Sequence, residues 1–597
     1  MAGGGRRNGN RNGGPDPAAA GRDGAGIRPG LLRELLGDGG RLVVVSNRAP
    51  ITFMGADDAP LGLTAERGSG GLVTALAELG RHAPLTWVAA AMTDADRTAA
   101  PALGPNASGA LARRIADLVA EALPGQDVRL HLETIARDVF DRYYGEIANP
   151  FLWFVQHQMF AAAYGPNVDA RLLDAWRRGY RPANEQLAEA AANVAGPRPV
   201  VLLQDYHLYV AAPRLRELRP DATILHFTHI PWPPADDWQL LPQGLRRAIC
   251  EGLLACDIVG LQTDRYASNF LDTVASFVRD ARVDGDARNV SWRGRRIRVR
   301  SYPISVDPDG LGRFAASAPV ERQVGLLRDR LARAGSPRVI VRADRMEPSK
   351  NSLRGFLAFE ALLERRPDLR GSVRFVAVQD ASREGISEYA EYAMAVREVV
   401  ARINGEGQAD ERPIWIYDGS DYATAIAALR IADVVLVNPV VDGMNLVAKE
   451  AVLVGERDPA LVLSETAGAA EQLAADALTV APADIVGTVD ALEGALEMPR
   501  EERRARLRRL RASVRHEDLD WWLTRQLRDL AAIRRWSCPR RPARLSSSRR
   551  TRSRSRRPTS SGRWMRSREP SRCRARSAVR GCDGCAPRSA TRTSTGG

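Results

Sequence analysis

The chain writes one pattern twice. A short, β-branched apolar run ends at a polar loop and is followed by an amphipathic helix rich in Ala, Leu and Arg. The first series has runs at 41–46, 85–89, 200–203, 223–227 and 258–261. After Asp307-Pro308-Asp309 a second series follows, at 338–341, 373–378, 413–417, 434–438 and 460–464. Runs this short and this apolar suit parallel strands covered on both faces. Their alternation with helices implies βαβ units and doubly wound sheets. The fold class is therefore α/β, in two successive Rossmann-like halves with a boundary near 312–336. The strongly charged segment 499–533 reads as helix that closes the second half and can cross back to the first.

Charge and cysteine are unevenly placed. Residues 537–597 carry 18 arginines against Glu569 and Asp583, whereas the rest of the chain is close to neutral. The folded part thus has no electrostatic footprint of a nucleic-acid binder. The Arg/Ser-rich tail has too few large apolar residues to fold alone, and its abrupt composition resembles a GC-rich gene read in a shifted frame. The competing reading is a nucleic-acid-binding arm. Residues 1–28 are Gly, Arg, Asn, Pro and Ala with almost nothing to bury, and order should begin near Leu31. Four of the six cysteines lie in the tail, and Cys582-x-x-Cys585 lacks a second ligand pair for zinc. Cys250 and Cys256 read as small core residues. No apolar run reaches a membrane span and no secretory leader is evident, so a reducing cytoplasm is the expected compartment. Of 86 basic residues only Lys350 and Lys449 are lysine. In a chain so biased toward Arg, a retained lysine marks a place where a compact ammonium is needed, or chance.

Five loop signals carry candidate chemistry. Gly68-Ser69-Gly70-Gly71 opens a helix, where backbone N–H groups can approach an anion, or simply turns. Asp205, in Gln204-Asp205-Tyr206-His207, follows a strand where open α/β sheets bind ligands; it can hold sugar hydroxyls or cap a helix. His226 and His229 lie in His-Phe-Thr-His-Ile-Pro-Trp-Pro-Pro. No carboxylate stands at metal-ligand spacing, so His229 reads as a ligand contact and His226 as a packed core residue. Arg345 and Lys350, after the first strand of the second half, can converge on a diphosphate, or lie on a solvated basic loop. Asp442-Gly443-Met444-Asn445-Leu446 turns into a helix near Asn445. Its carboxylate can hold sugar hydroxyls, its amides a phosphate, and Glu450, one turn on, ribose hydroxyls. Lys449 points elsewhere on that helix and reads as structural.

Taken in order, these signals resemble the trehalose-6-phosphate synthase family, retaining glycosyltransferases of the GT-B fold. The similarity runs from about Arg41 to about Leu530. It includes Tyr143-Tyr144 to Trp153, Asp205-Tyr-His207, His229-Ile-Pro-Trp-Pro233, Asp344-Arg345 to Lys350, Arg402-Ile-Asn404, Asp442 to Glu450, and Ser464 to Glu471. The resemblance implies two Rossmann-like domains facing each other across a cleft, with disordered tails at 1–30 and 537–597. An acceptor-binding domain would span 31–320 and a nucleotide-sugar-binding domain 321–536. The implied reaction makes α,α-trehalose 6-phosphate from UDP- or GDP-glucose and glucose 6-phosphate, with retention.

Asp205, His229, Arg345, Lys350 and Asp442 would be the catalytic set. Gly70, Gly71, His229, Arg345, Lys350, Asp442, Gly443, Met444, Asn445, Leu446 and Glu450 would hold the donor. Arg48, Tyr144, Trp153, Asp205 and Arg383 would form the acceptor pocket, with Arg48 and Arg383 on its phosphate. No metal and no other cofactor is implied. A separate phosphatase would act on the product, because nothing after Ile533 reads as a phosphatase domain. A homo-oligomer is compatible with the sequence, and neither membrane nor nucleic acid is an expected partner.

The chain departs from many members at Glu347-Pro-Ser-Lys350-Asn351, at Val441 and at Ala90, changes that resemble an actinobacterial-type branch. They leave the donor base and the acceptor open. Glucosylglycerol-phosphate synthesis, cyclitol coupling and a catalytically silent regulatory homologue are the alternatives.

Overall fold

Ten of the strands in the computed structural model grow from the ten apolar runs. The structure describes residues 27–537, apart from 38, 57–58, 69–70, 105–106, 160–166, 381–386, 407 and 420. Most of the two expected tails lies outside the described residues.

The first half contains β1 (Leu42–Ser46), a hairpin of β2 (Ile51–Gly55) and β3 (Leu63–Arg67), β4 (Leu85–Ala90), β5 (Val128–Glu133), β6 (Val200–Gln204), β7 (Thr223–Phe227), β8 (Ile258–Leu261), β9 (Arg282–Asp284), β10 (Asn289–Trp292) and β11 (Arg295–Ser301). Nine of these form one sheet in the order β5-β4-β1-β6-β7-β8-β11-β10-β9. It is parallel from β5 to β11, and β10 and β9 add antiparallel. The second half has β12 (Arg338–Arg345), β13 (Val373–Asp380), β14 (Ile414–Asp418), β15 (Val434–Val437), β16 (Ala460–Ser464) and β17 (Leu478–Val480). They form an all-parallel sheet ordered β14-β13-β12-β15-β16-β17. In each sheet the chain winds outward in both directions from a central pair, β1/β6 in the first and β12/β15 in the second. Those pairs are the switch points where doubly wound sheets open a crevice beyond the strand ends.

Three of the unforeseen strands share a cause. β5, β9 and β11 alternate charged and apolar residues and lie at or near the sheet edge, so they carry no continuous apolar run. β12 outlasts its apolar run for a different reason. Arg342 is fully buried inside it and pairs with Asp344 at 2.8 Å, which lets polar residues continue the strand.

The described chain begins before Leu31. Ile27 is buried, and the helix Pro29–Leu36 sinks Leu32 and Leu35 into the core. Its Glu34 meets Arg535 of the last helix at 3.0 Å. The charged segment 499–533 forms two helices, Arg500–His516 and Leu519–Ser537. The second does cross back: Trp522 is fully buried against Phe227 of β7, with ring centroids 5.4 Å apart. Cys250 and Cys256 are buried, as core residues would be, and burial pushes both thiols up to about 12. No described helix is long and apolar enough to cross a membrane.

Candidate active site

Four of the five loops singled out in the sequence leave the carboxyl end of a parallel strand, whereas Gly68–Gly71 follows β3 of the antiparallel hairpin; the central ones meet. Asp205 follows β6 with φ at +71°, a backbone region costly for a residue with a Cβ. It caps no helix with its side chain. Its carboxylate instead accepts the His229 backbone N–H at 3.0 Å, binding the loop after β6 to the loop after β7. The His229 ring Nε2 lies 3.0 Å from Gln204 Oε1. Burial, with His226 beside it, pulls the His229 imidazole down to about 3, so it is neutral at physiological pH. His226 is fully buried with Nε2 3.1 Å from the Asp205 carbonyl, which makes it a core residue.

Across from these stands the loop after β15. A Cβ built on Gly443 would overlap the His229 carbonyl oxygen, so only glycine allows the two loops this close. Tyr266, on the helix Asp264–Phe277, donates its hydroxyl to the Asp442 carbonyl at 2.7 Å. Glu471 accepts the N–H groups of Asp264 and Arg265 at the start of that helix, at 3.0 and 3.1 Å.

Asp442 itself faces Lys350, with Nζ 2.5 Å from Oδ2 and both side chains 15% exposed. Asn445 donates to the same carboxylate oxygen at 3.1 Å. Asn445 also caps the helix Leu446–Val454, from φ +77°. Burial opposes the Lys350 ammonium, but Asp442 and Asp344 outweigh it and raise its pKa. Burial likewise opposes the Asp442 carboxylate, and Lys350 outweighs it, so the carboxyl titrates below its ordinary range. The pair is ionised.

Arg345 is half-exposed and bonds the buried Glu347 at 2.9 Å, close enough to Lys350 to oppose its charging. Two cations therefore do gather beyond β12. The turn that presents Lys350 is held from below by Arg342, which donates to the Lys350 carbonyl at 2.9 Å. Asn351 stands in the left-handed region at φ +61°, and its amide bonds the carbonyls of Asn438 and Pro482. Asparagine tolerates that conformation and pins the turn as well.

Glu450 accepts the Tyr422 hydroxyl at 2.8 Å, and burial raises its carboxyl. Lys449, on the other face of the helix, is fully buried and donates to the Ile304 carbonyl at 2.9 Å. Burial pulls its ammonium down to about 7.

On the first-half side, Arg48 donates to the Tyr144 hydroxyl at 3.3 Å, which brings two predicted acceptor residues together. Tyr144 lies in the wide-turned helix Asp141–Leu152, where Trp153 N–H reaches back to Ala148. Trp153 is buried: it stacks on His157 at 4.0 Å and lies 5.8 Å from Tyr389 of the second half. Arg383 and Gly70 lie outside the described residues, while Gly71 opens the helix Gly71–His82. Among the described residues no three His, Cys, Asp or Glu side chains gather as a metal set.

His157 is the residue that sequence reasoning missed. Its Nδ1 bonds the Trp153 carbonyl at 2.7 Å, and it feels the charges of Asp442, Glu347 and Lys350. Burial, only partly offset by the Trp153 carbonyl, Asp442 and Glu347, lowers it to about 4. The four-residue spacing from Trp153 along a helix was the available signal.

Comparison with known proteins agrees with this geometry. The model of glycosyltransferase family 20 matches residues 40–532. A bifunctional trehalose-6-phosphate synthase/phosphatase of Thermoproteus tenax is 35% identical over 497 residues, 81% of this chain. The chain spans 62% of that longer relative. A validamine 7-phosphate valienyltransferase of Streptomyces hygroscopicus is 32% identical over 83% of this chain and 95% of its own length. The crystal structure of a UDP-forming α,α-trehalose-phosphate synthase of Burkholderia xenovorans, in complex with glucose-6-phosphate, superposes with a TM-score of 0.67. It is 28% identical, over 82% of this chain and all of that one.

Proposed function

The chain belongs to glycosyltransferase family 20, and we propose that it makes α,α-trehalose 6-phosphate from UDP-glucose and glucose 6-phosphate with retention of configuration. The observation that carries this reading is the ionised Lys350–Asp442 pair beyond the second switch point, facing the Asp205–His229 loops beyond the first. A similarly folded synthase holding glucose-6-phosphate supports the choice of acceptor.

In this reading the glucosyl C1–O bond to the diphosphate breaks. The anomeric oxygen of glucose 6-phosphate forms the new bond on the same face, and its proton passes to the departing phosphate oxygen. UDP leaves. The residues of this chain position the partners and balance charge. Lys350 and Arg345 neutralise the leaving diphosphate, with Gly70 and Gly71 approaching it from the first half. Asp442 and the amides of Gly443, Met444, Asn445 and Leu446 hold the sugar and its phosphate, and Glu450 holds the ribose. Neutral His229 accepts or donates one hydrogen bond to the donor glucose without adding charge. Asp205, Arg48, Tyr144, Trp153 and Arg383 form the acceptor side, the two arginines on its phosphate. No metal or other cofactor enters this reading, and a separate phosphatase releases trehalose.

Product analysis by mass spectrometry and NMR tests it. The protein is given UDP-glucose with glucose 6-phosphate and glycerol 3-phosphate in competition. An α,α-1,1-linked disaccharide phosphate is expected. A glucosylglycerol phosphate, or no transfer from UDP-glucose, would overturn the assignment.

A further inference from the structure

The crossover between the halves is an extended linker, 302–306, that is gripped at every second residue, at both ends by the last helix and in the middle by Gln262 and Lys449. The Tyr302 N–H donates to Leu261 at the end of β8, and the Tyr302 carbonyl accepts from Trp522 Nε1 at 3.0 Å. Val306 O accepts from Leu519 N–H at 3.0 Å. Between them, Ile304 is held from both sides. Its N–H donates to Gln262 Oε1 at 3.0 Å, and its carbonyl accepts from Lys449 Nζ at 2.9 Å. Gln262, itself 2% exposed, turns its other amide atom to the His229 carbonyl, at 3.4 Å. The Gly443 backbone packs against that same carbonyl oxygen.

We propose that Lys449 and Gln262 are positioning residues that register the donor-binding helix against the His229 loop through the backbone of Ile304. The chain of contacts runs from the first turn of the helix Leu446–Val454, whose start carries Asn445 and the Asp442 turn, to the His229 loop. It closes on itself through Gly443. The helix cannot shift along the linker without breaking a buried hydrogen bond at Ile304. The His229 loop cannot shift without breaking one at Gln262. An unpaired buried group is costly, so the alternatives to this register are few.

Lys449 suits the task because an ammonium is a compact donor on a long flexible stem, and a guanidinium fork would need more acceptors than one carbonyl offers. The two lysines of this Arg-rich chain thus divide the site: Lys350 faces the reacting groups and Lys449 holds the frame. The inference rests on the proposed reaction only for its kinetic readout.

Hydrogen exchange on the full chain, read by mass spectrometry, tests the register directly. Lys449→Met keeps the stem and removes the donor. Exchange should rise about tenfold in 302–306 and also in 228–231, which Lys449 does not touch, with β13 and β15 unchanged. A rise confined to the linker and the variant's own helix, or none, would overturn the proposal. Gln262→Met is the second arm, and it decides the question if Lys449→Met does not fold. It should raise exchange at the start of the helix Leu446–Val454, and no rise there would overturn the proposal. In turnover, each variant should lose at least about tenfold in kcat while UDP affinity, by calorimetry, stays within about twofold. The double variant should be no worse than the poorer single one. Wild type without turnover would sink the proposed reaction and leave the exchange result to judge the register. Active wild type with multiplicative variant losses would sink the register alone.

Discussion

Lys350→Ala separates charge stabilisation from mere stability at this site. The ammonium lies 2.5 Å from the Asp442 carboxylate. At an effective dielectric near 20, that pair carries about 6–7 kcal/mol of gross Coulomb attraction, most of it offset by desolvation. Removing one partner leaves Asp442 alone in a buried place, which costs about 3–5 kcal/mol of stability. Loss of one cation from the transition state costs a further factor of about 100–1000 in kcat. The two effects differ in their response to Asp442→Asn. In the double variant the lone carboxylate is gone, so much of the lost stability returns, but the missing cation does not. The assay is the initial rate of UDP release beside a urea denaturation curve for each variant.

The pH dependence has a sign. In wild type Asp442 titrates below its ordinary range, so it contributes stability at neutral pH that is lost as pH falls through its folded pKa. Without Lys350 only burial remains prominent and the carboxyl moves up. Protonation then relieves the strain, so the stability gap between variant and wild type narrows as pH falls from 7 toward 5. A kcat within about fivefold of wild type in Lys350→Ala, or recovery of turnover in the double variant, would refute the reasoning.

Other expectations follow from the same geometry. His157, His226 and His229 are held neutral with values of about 4, 3 and 3. Unfolding therefore takes up three protons below about pH 6, and together they should steepen the loss of stability by about 4 kcal/mol per pH unit between about pH 6 and 4.5. Denaturant titrations across that range measure this, and His226→Gln should remove about a third of the histidine contribution. Gly443→Ala places a methyl on the His229 carbonyl; kcat should fall at least about tenfold with a cooperative thermal transition retained. Unchanged turnover would mean the two loops are not in this contact during catalysis. Deleting 540–597 should leave turnover within about twofold, because that segment has the composition of a chain that cannot fold alone. A folded truncation without activity would show that the tail matters.

Much of the architecture was legible because it depends on local pattern. Short β-branched runs such as 200–203 and 434–438 can hide only as central parallel strands, and the polar residues after them can only be loops at strand ends. Asp205, His229, Lys350 and Asp442 could therefore be placed near ligand-binding positions from sequence. The motif residues from Asp442 to Glu450 could even be placed on a helix start. Edge strands such as β5 and β9 escaped, since alternating charge and apolar character does not say what lies beside them.

Pairing was a different matter. That Lys350 neutralises Asp442, 92 positions away, depends on β12 and β15 lying side by side. That Trp153 is buried against Tyr389 depends on how the halves meet. That Lys449 holds the crossover depends on a helix face with no periodic signature of its own. Sequence determines which residues can sit at strand ends, because backbone geometry and apolar periodicity act over a few residues. Tertiary structure alone decides which of them touch, because burial strengthens a charge or a hydrogen bond only against the partner that packing brings within reach.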